Sequence, residues 1–428
     1  MRDVINIGLI GFGKVGTGAV RLLVENEESI ARKVGSRLRI KRIADIDITT
    51  PRPVRIDPSL LTTDADKIIA DPTVDIVIET VGGLSPAGEF IRRSLEAGKH
   101  VVTANKELIA KEGQTLLPLA ARLKRDLMFE ASVGGGIPII RPLKTCLAGN
   151  EIAEVKGIVN GTTNYILSRM KGEGLSFDRA LREAQEQGYA ELDPSSDVEG
   201  HDAAYKICIL ASIAFTSRAD VNKVYREGIT AIAAEDMHYA EELGFVIKLL
   251  AVAKRLDDGM SVRVHPAFVP ESHPLAHVNG VFNAIFVRGS AAGDVMFYGR
   301  GAGSEAAGSA VVGDVIDIAR NINLNATARV PCTCYEERPM LGMESVTCRN
   351  YVRIIAEDKP RVLAAIATKF ADNDISIESV LQRMLPDSTA EIVWLTHEAP
   401  EPKMRSALEA ISALPVVKSI GSRIRVEE

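Results

Sequence analysis

Cysteine is scarce: the chain holds five in 428 residues. An odd handful in a long chain is no disulfide framework, which excludes the small secreted scaffolds that depend on one. No apolar run approaches the ~18 residues that a membrane-spanning helix needs. An excess of positive charge is missing as well. Against 57 Asp and Glu stand 51 Lys and Arg, a formal charge of −6. Nucleic-acid binders usually carry a basic face or a strongly basic total, so that class is disfavoured. There is no long-period repeat and no low-complexity tract. The chain runs from Arg2 and Asp3 straight into a strand-like stretch, unlike a cleaved signal. What remains is a cytoplasmic multidomain α/β protein, 46% apolar and 25% charged. At ~100–200 residues per domain, its length allows roughly two to four cores.

The first ~130 residues alternate strand and helix patterns, as a parallel sheet with crossover helices does. Strands are expected over Val4–Ile10, Leu38–Ala44, Val74–Glu79, His100–Thr103 and Leu127–Glu130. Helices are expected over Lys14–Glu28, Asp64–Ile69, Ala87–Ala97 and Lys106–Arg122. From Ser132 the texture changes to amphipathic helices followed by longer strand runs, an α+β domain. A Gly/Ala-rich helix over Ser304–Asn321 is expected to return to the first sheet. The last ~80 residues read β-α-β-β-α-β, the ferredoxin-like order. The expected division is 1–131, 132–325, a linker at 326–346, and 347–428.

Gly11-Phe12-Gly13-Lys14-Val15-Gly16 matches G-x-G-x-x-G between a strand and a helix, the context that the motif requires. Gly11 permits the tight turn, Gly13 lets the backbone approach a pyrophosphate, and Gly16 lets helix and strand pack closely. The helix N-terminus offers free N–H groups to phosphates. This is a Rossmann-type dinucleotide site. At the end of the second strand, Asp45 or Asp47 could accept from a ribose diol, which leans the cofactor slightly to NAD. Arg42 and Arg52, close by in sequence, could instead meet a 2′-phosphate.

The densest chemistry lies between Gly188 and Lys206. Asp202 and Lys206 are four apart and share one helix face. Glu191, Asp193 and Asp197 precede them, with Asp197 placed to cap the helix. A lysine held among carboxylates stays protonated and can donate to a developing alkoxide. The same spacing also describes a solvated acidic turn with one helix ion pair. Lys106 follows a strand of the first sheet, where strand ends form the ligand crevice, or is simply an exposed lysine in a first helical turn. His265, His273 and His277 are scattered among prolines and make a poor zinc site. Cys332 and Cys334 form C-x-C without a second pair and read as structural or free thiols. Cys146, Cys208 and Trp394 read as core.

Together these pieces resemble homoserine dehydrogenase over roughly residues 1–325. The carrying motifs are the glycine turn, Thr103–Glu107, Glu130–Pro138, Val159–Asn164, Gly188–Lys206 and Tyr298–Gly303. The resemblance implies NAD(P)-dependent interconversion of homoserine and aspartate 4-semialdehyde, on the route to threonine, methionine and isoleucine. It implies Lys206 as the proton donor, with Lys106 beside nicotinamide and substrate. Glu191 and Asp202 would orient homoserine, Asp197 would support the site, and Gly188, Gly301 and Gly303 would meet the cofactor. A sodium ion would be held by main-chain carbonyls at Glu130, Val133, Gly135 and Ile137.

Glu357–Leu363 followed by Asp374–Val380 resembles the ACT pattern. Such modules bind small amino acids between paired copies, which implies a homodimer or homotetramer, with threonine as the effector to test. The usual Asp-x-Pro-Gly reads Asp358-Lys359-Pro360-Arg361 here, and the glycine usual before Ile-Ser-Ile is Asp374. A module used only for dimerisation is the alternative. No aspartate-kinase segment stands upstream, so a stand-alone enzyme is expected. A non-catalytic sensor of dinucleotide and amino acid would be favoured by loss of a catalytic lysine, and none is lost. An aspartate-semialdehyde dehydrogenase would need a cysteine nucleophile, and no cysteine lies in a convincing motif for one.

Overall fold

The computed structural model describes residues 2–428. The first elements follow the apolar runs: β1 (Val4–Ile10), α1 (Lys14–Glu25), α2 (Glu27–Val34), β2 (Arg37–Ala44), β3 (Leu61–Thr62), α3 (Asp66–Ile69), β4 (Ile76–Glu79), α4 (Ala87–Glu96), β5 (His100–Thr103), α5 (Lys106–Arg122) and β6 (Leu127–Met128). The one helix expected over Lys14–Glu28 ends early. Asn26 leaves helical geometry, and a second helix runs on to a left-handed Gly35. Asparagine competes for its own backbone groups and favours such breaks. All six strands are parallel, in the order β3-β2-β1-β4-β5-β6. That is the dinucleotide-binding order, and its direction reverses between β1 and β4. The C-terminal ends of those two strands therefore flank a crevice.

Next come β7 (Ile152–Ile158), α6 (Gly161–Glu173), α7 (Phe177–Glu186), α8 (Ser195–Val198), α9 (His201–Ala214), β8 (Tyr225–Arg226), α10 (Ala234–Glu242), β9 (Phe245–Leu256), β10 (Gly259–Pro270), β11 (Phe282–Gly289), β12 (Gly293–Arg300), α11 (Ser304–Asn323) and β13 (Met340–Leu341). β7 was hidden in the sequence because Glu154 and Lys156 interrupt its apolar run, yet both are buried. Cys146 is exposed rather than core. It ends a short π-helical stretch, Pro142–Cys146, in which Leu143 is the buried residue. No described helix is long and apolar enough to cross a membrane.

By internal contacts the chain forms two compact units. One holds residues up to 155 with 205–222 and 283–338; the other holds 156–204, 223–282 and 339–428. In the first unit, α11 returns to the parallel sheet as expected. Val311, Val315 and Ile318 join Ile5, Ile7 and Ile78 in one core. Glycine makes the approach to α1 close: a Cβ on Gly308 would lie 2.6 Å from the Gly18 carbonyl carbon.

The second unit contains β14 (Thr347–Cys348), β15 (Asn350–Glu357), α12 (Val362–Ala371), β16 (Ile377–Met384), β17 (Thr389–Thr396), β18 (Ala399–Pro400), α13 (Glu401–Ser412) and β19 (Val417–Val426). The run β15-α12-β16-β17-α13-β19 is the expected β-α-β-β-α-β, with antiparallel sheet order β19-β15-β17-β16. Trp394 packs on Phe370 in its core, as the sequence suggested. This module is sewn into the unit: β19 pairs in parallel with β10, setting Arg425 beside Ala267 and Val426 beside Phe268. β13 pairs with β10 too, so the stretch read as a linker contributes a strand.

Arg361 and Asp374 replace the two glycines of the ACT pattern, and both keep a left-handed backbone, at φ +77° and +55°. A Cβ is disfavoured there, so Arg361→Gly is expected to raise stability by about 1 kcal/mol, less the entropy glycine adds to the unfolded chain. Urea melts of the two proteins check this; an unchanged or lower midpoint would mean that the arginine side chain repays its strain.

Candidate active site

In the first unit, the glycine turn closes the crevice between β1 and β4. Gly11 has φ +97°, and the Thr80 hydroxyl donates to its carbonyl (2.7 Å). Gly13 precedes α1 without any side-chain cap, and a Cβ built on it meets nothing within 4 Å. Gly13 thus leaves open space at the start of α1, where a pyrophosphate would approach the backbone. Lys14 is exposed beside it, Val15 is half-buried, and Phe12 is buried. Gly16 packs so tightly that a Cβ would stand 2.2 Å from Gly11 O. Gly16→Ala must push α1 off the turn; dinucleotide affinity is expected to fall at least about tenfold with the fold retained. Fluorescence titration with NADH and NADPH measures it.

Asp45 is committed locally. One carboxylate oxygen accepts the Phe12 N–H and the other the Asp47 N–H (2.8 Å). Hydrogen bonds from Thr50 and then Thr49 hold the half-buried Asp47 carboxyl well below the usual range. Arg52 lies against the turn. Its guanidinium sits 5.6 Å from the Phe12 ring centroid and donates to Phe12 O (2.9 Å) and Asp47 O (3.0 Å). Arg42 sits further back, within β2.

At the end of β4, Glu79 is fully buried. It accepts the N–H groups of Val81 and Gly82 and the Thr103 hydroxyl (2.6 Å), and burial pushes its carboxyl up. This fixes the loop after β4. Asn105 continues the device: its amide donates to Gly83 O (2.6 Å) while its oxygen caps α5 at Leu108 N. Lys106 is therefore the first residue of a well-anchored helix. The next residue, Glu107, receives the Tyr205 hydroxyl (3.3 Å) and Lys111 (2.7 Å). Glu107 follows Lys106 and Tyr205 precedes Lys206, so this contact sets the lysine-bearing turns of α5 and α9 side by side. Lys206 is buried, at 9% exposure.

The turn from Glu130 to Ile137 is held rigidly. The Glu130 carboxylate accepts three backbone N–H groups, from Ile139, Ile140 and Arg141, at 2.6–2.8 Å. Asp314 accepts the Glu130 N–H and pairs with Arg141, both at 2.8 Å. Burial, then the nearby Glu130, push Asp314 up to about 7. Gly134 and Gly135 have left-handed φ values. Gly135 lies against Gly301, whose oxygen would be 2.4 Å from a Cβ there. Ser304 donates to Lys14 O (2.5 Å). Gly301 and Gly303 thus lie on the short link that joins this turn to the glycine turn. Asn283 is buried against Gly301, and both its amide atoms lack a partner.

In the second unit, Asn160 organises the carboxylates. Its amide donates to Asp197 (2.7 Å) and Asp202 (2.9 Å), while its oxygen caps α6 at Thr163 N (2.9 Å). Asp197 is thereby not the cap of α9. It lies inside the short α8, and Gly200 intervenes. Asp202 is buried in the first turn of α9, one turn before Lys206. Glu191 and Gly188 are exposed, and the neighbouring Tyr189 oxygen accepts from Thr162 (2.7 Å). Sequence reasoning quoted Asn160 within a motif but gave it no role, and it passed over Glu79. Their signals are visible afterwards: an Asn-Gly step opening a helix, and an acid closing a buried strand.

Three family models match the chain: the NAD-binding domain of homoserine dehydrogenase over residues 11–130, homoserine dehydrogenase over 138–316, and the ACT domain over 350–416. A homoserine dehydrogenase of Neisseria gonorrhoeae is 42% identical, over 99% of this chain and 98% of its own length. The crystal structure of a homoserine dehydrogenase from Thiobacillus denitrificans superposes with a TM-score of 0.93 at 41% identity, covering 99% and 98% of the two chains. A hyperthermophilic archaeal homoserine dehydrogenase mutant in complex with NADPH matches at TM-score 0.63 and 27% identity, over 75% of this chain and 98% of its own. The chain belongs to the homoserine dehydrogenase family, NAD(P)-dependent oxidoreductases acting on a CH–OH group, and carries an ACT domain at its C-terminal end.

Proposed function

We propose that Lys206 is the acid of this dehydrogenase, giving a proton to the aldehyde oxygen of aspartate 4-semialdehyde and recovering it when homoserine is oxidised. The supporting observation is a buried lysine on α9, one turn after the buried Asp202. A bound nicotinamide supplies or accepts the hydride. An alkoxide grows on the substrate oxygen as hydride arrives, and an ammonium in a water-poor setting stabilises and then protonates it. Lys106 adds a second positive charge beside it. Asp202 and Glu191 orient the substrate ammonium, and Asp197 supports them through the Asn160 amide that also holds Asp202. Gly11–Gly16, Gly188, Gly301 and Gly303 meet the dinucleotide.

Both cofactor forms are accepted in this reading. Asp45 spends its oxygens on backbone N–H groups, so its claim on a ribose diol is weaker than the sequence suggested. Arg52 is anchored at the turn, where a 2′-phosphate would find it. The NADPH complex of the archaeal relative agrees. The carbonyl-rich turn at Glu130, Val133, Gly135 and Ile137 suits a hard monovalent cation such as sodium, because its donors are neutral oxygens. The orphaned amide of Asn283 beside Gly301 adds a polar atom to that neighbourhood. The domains act as a dinucleotide domain (1–131), a substrate and dimerisation domain (132–325) and an ACT module (347–428), in a cytoplasmic homodimer or homotetramer. Threonine is the effector to which the module is assigned.

Homoserine-dependent reduction of NAD and of NADP, with and without threonine, tests the set. Turnover with both, inhibited by threonine, is expected. Indifference to threonine would reassign the ACT module to assembly, and failure with NADP would reverse the reading of Arg52.

A further inference from the structure

A cavity of about 210 Å³ opens in the first unit beside β6, the edge of the parallel sheet. Its walls come from the end of α5, the Pro142–Cys146 stretch, α11 and the segment 328–332. None of Gly11–Gly16, Lys106 or Lys206 lines it, so it is separate from the glycine crevice. Leu117, Ala120, Ala121, Leu127, Phe129 and Ile140 form an apolar floor. Its four acids are already used. Glu130 accepts three backbone N–H groups, and Asp314 takes Glu130 N and Arg141. Asp126 accepts Ala328 N (2.9 Å) and lies 3.3 Å from His100, while Asp317 faces Arg141 and Arg329 at 3.7 and 3.9 Å.

The cations are less well matched. No carboxylate of the described residues lies within ion-pair distance of Lys144. Its ammonium has a long hydrogen bond to Val330 O (3.4 Å) and the Phe129 ring at 5.8 Å. A buried or half-buried ammonium without a counter-ion attracts an anion. The volume holds roughly seven water-sized groups at about 30 Å³ each. A five-carbon carboxylate has that size, and its hydrocarbon body suits the floor.

We propose that this cavity binds a small aliphatic carboxylate, its charge on Lys144 and its hydrocarbon against Leu117, Ala120 and Phe129. Cys332 in the outer wall provides a reporter. Its thiol lies 3.5 Å from the Arg218 guanidinium, and the neighbouring Cys334 thiol lowers its pKa. Such a thiol alkylates readily when reached. The exposed Cys146, which is not part of the lining, serves as an internal reference.

The test follows iodoacetamide labelling of each cysteine in the full chain by peptide mass spectrometry, with 3-methylbutanoate as the probe. Labelling of Cys332 is expected to slow at least about fivefold at ~50 mM probe, with Cys146 unaffected. The neutral 3-methylbutanamide should not protect. L-Valine, with the same skeleton, separates a plain carboxylate from an amino acid; protection by either acid supports the site. Lys144→Met should weaken protection about tenfold or more, through loss of a charge-assisted contact. Ala121→Leu, which fills the space, should abolish it, and covers the case in which the first variant folds poorly. Equal labelling with and without either acid would overturn the proposal. So would protection by the amide, or protection that survives both substitutions.

Discussion

Lys206→Ala is expected to lower kcat by about 10²–10⁴-fold and to leave dinucleotide affinity within about twofold. The range is what a positioned acid contributes when hydride arrival creates an alkoxide. Cofactor binding should survive because the glycine turn draws its geometry from Gly11, Thr80 and the packing of α1, none of which involves Lys206. Steady-state rates with homoserine and fluorescence titration with NADPH separate the two effects. Removal of one charge next to the buried Asp202 also changes the helix, so Lys206→Met, which keeps the aliphatic stem, accompanies it. Near-normal turnover in both variants would move the proton donor elsewhere, and Lys106 would be examined next. Loss of turnover together with loss of cofactor binding would instead indicate collapse of α9.

The second large effect concerns stability. Arg353 on β15 is buried between Asp236 on α10 (2.7 Å) and Glu391 on β17 (2.9 Å). Tyr351 and Ser422 also donate to Asp236, and Tyr239 donates to Glu391 (2.7 Å). One guanidinium therefore bridges two buried carboxylates and joins the ACT module to α10. Arg353→Met leaves both acids buried without a cation, and about 3–5 kcal/mol of stability should go. At about 2–4 °C per kcal/mol for a unit of this size, the melting temperature should fall by roughly 10 °C. Without Arg353 the cost of burying two carboxylates with no cation falls when the folded variant takes up a proton. The folded variant then binds more protons than the unfolded chain, so its deficit should shrink as pH falls towards 5. Scanning calorimetry of both proteins at pH 7.5 and 5.5 measures this. A deficit that stayed constant or widened on acidification would show that the network is not held by charge.

Local patterns were read well where one residue type has one job. The glycine turn is an example: a positive φ at Gly11 and tight packing at Gly16 leave few alternatives, so the motif in its strand–helix context predicts the geometry. The β-α-β-β-α-β order of the last domain was equally legible, because alternation and amphipathic spacing repeat over short segments. β7 was missed because Glu154 and Lys156 look like surface residues. Asp197 was read as a helix cap from spacing alone, yet the structure gives it to Asn160, which lies far back in the sequence. Cys146 was placed in the core by its apolar neighbours, although the π-helical turn faces it outwards.

By itself, then, the sequence determined the order of elements, the dinucleotide turn and the set of lysines and carboxylates available for catalysis. These are consequences of local chemistry: side-chain period, backbone freedom at glycine, and charge at a helix turn. Only the tertiary structure decided how that set is wired. It gave Asn160 to two carboxylates at once, locked the loop after β4 onto Glu79, spent Asp45 on the backbone, and zipped β19 against β10. The physical reason is that a buried polar group must find a partner wherever the chain returns. Sequence position does not record which distant segment will supply it.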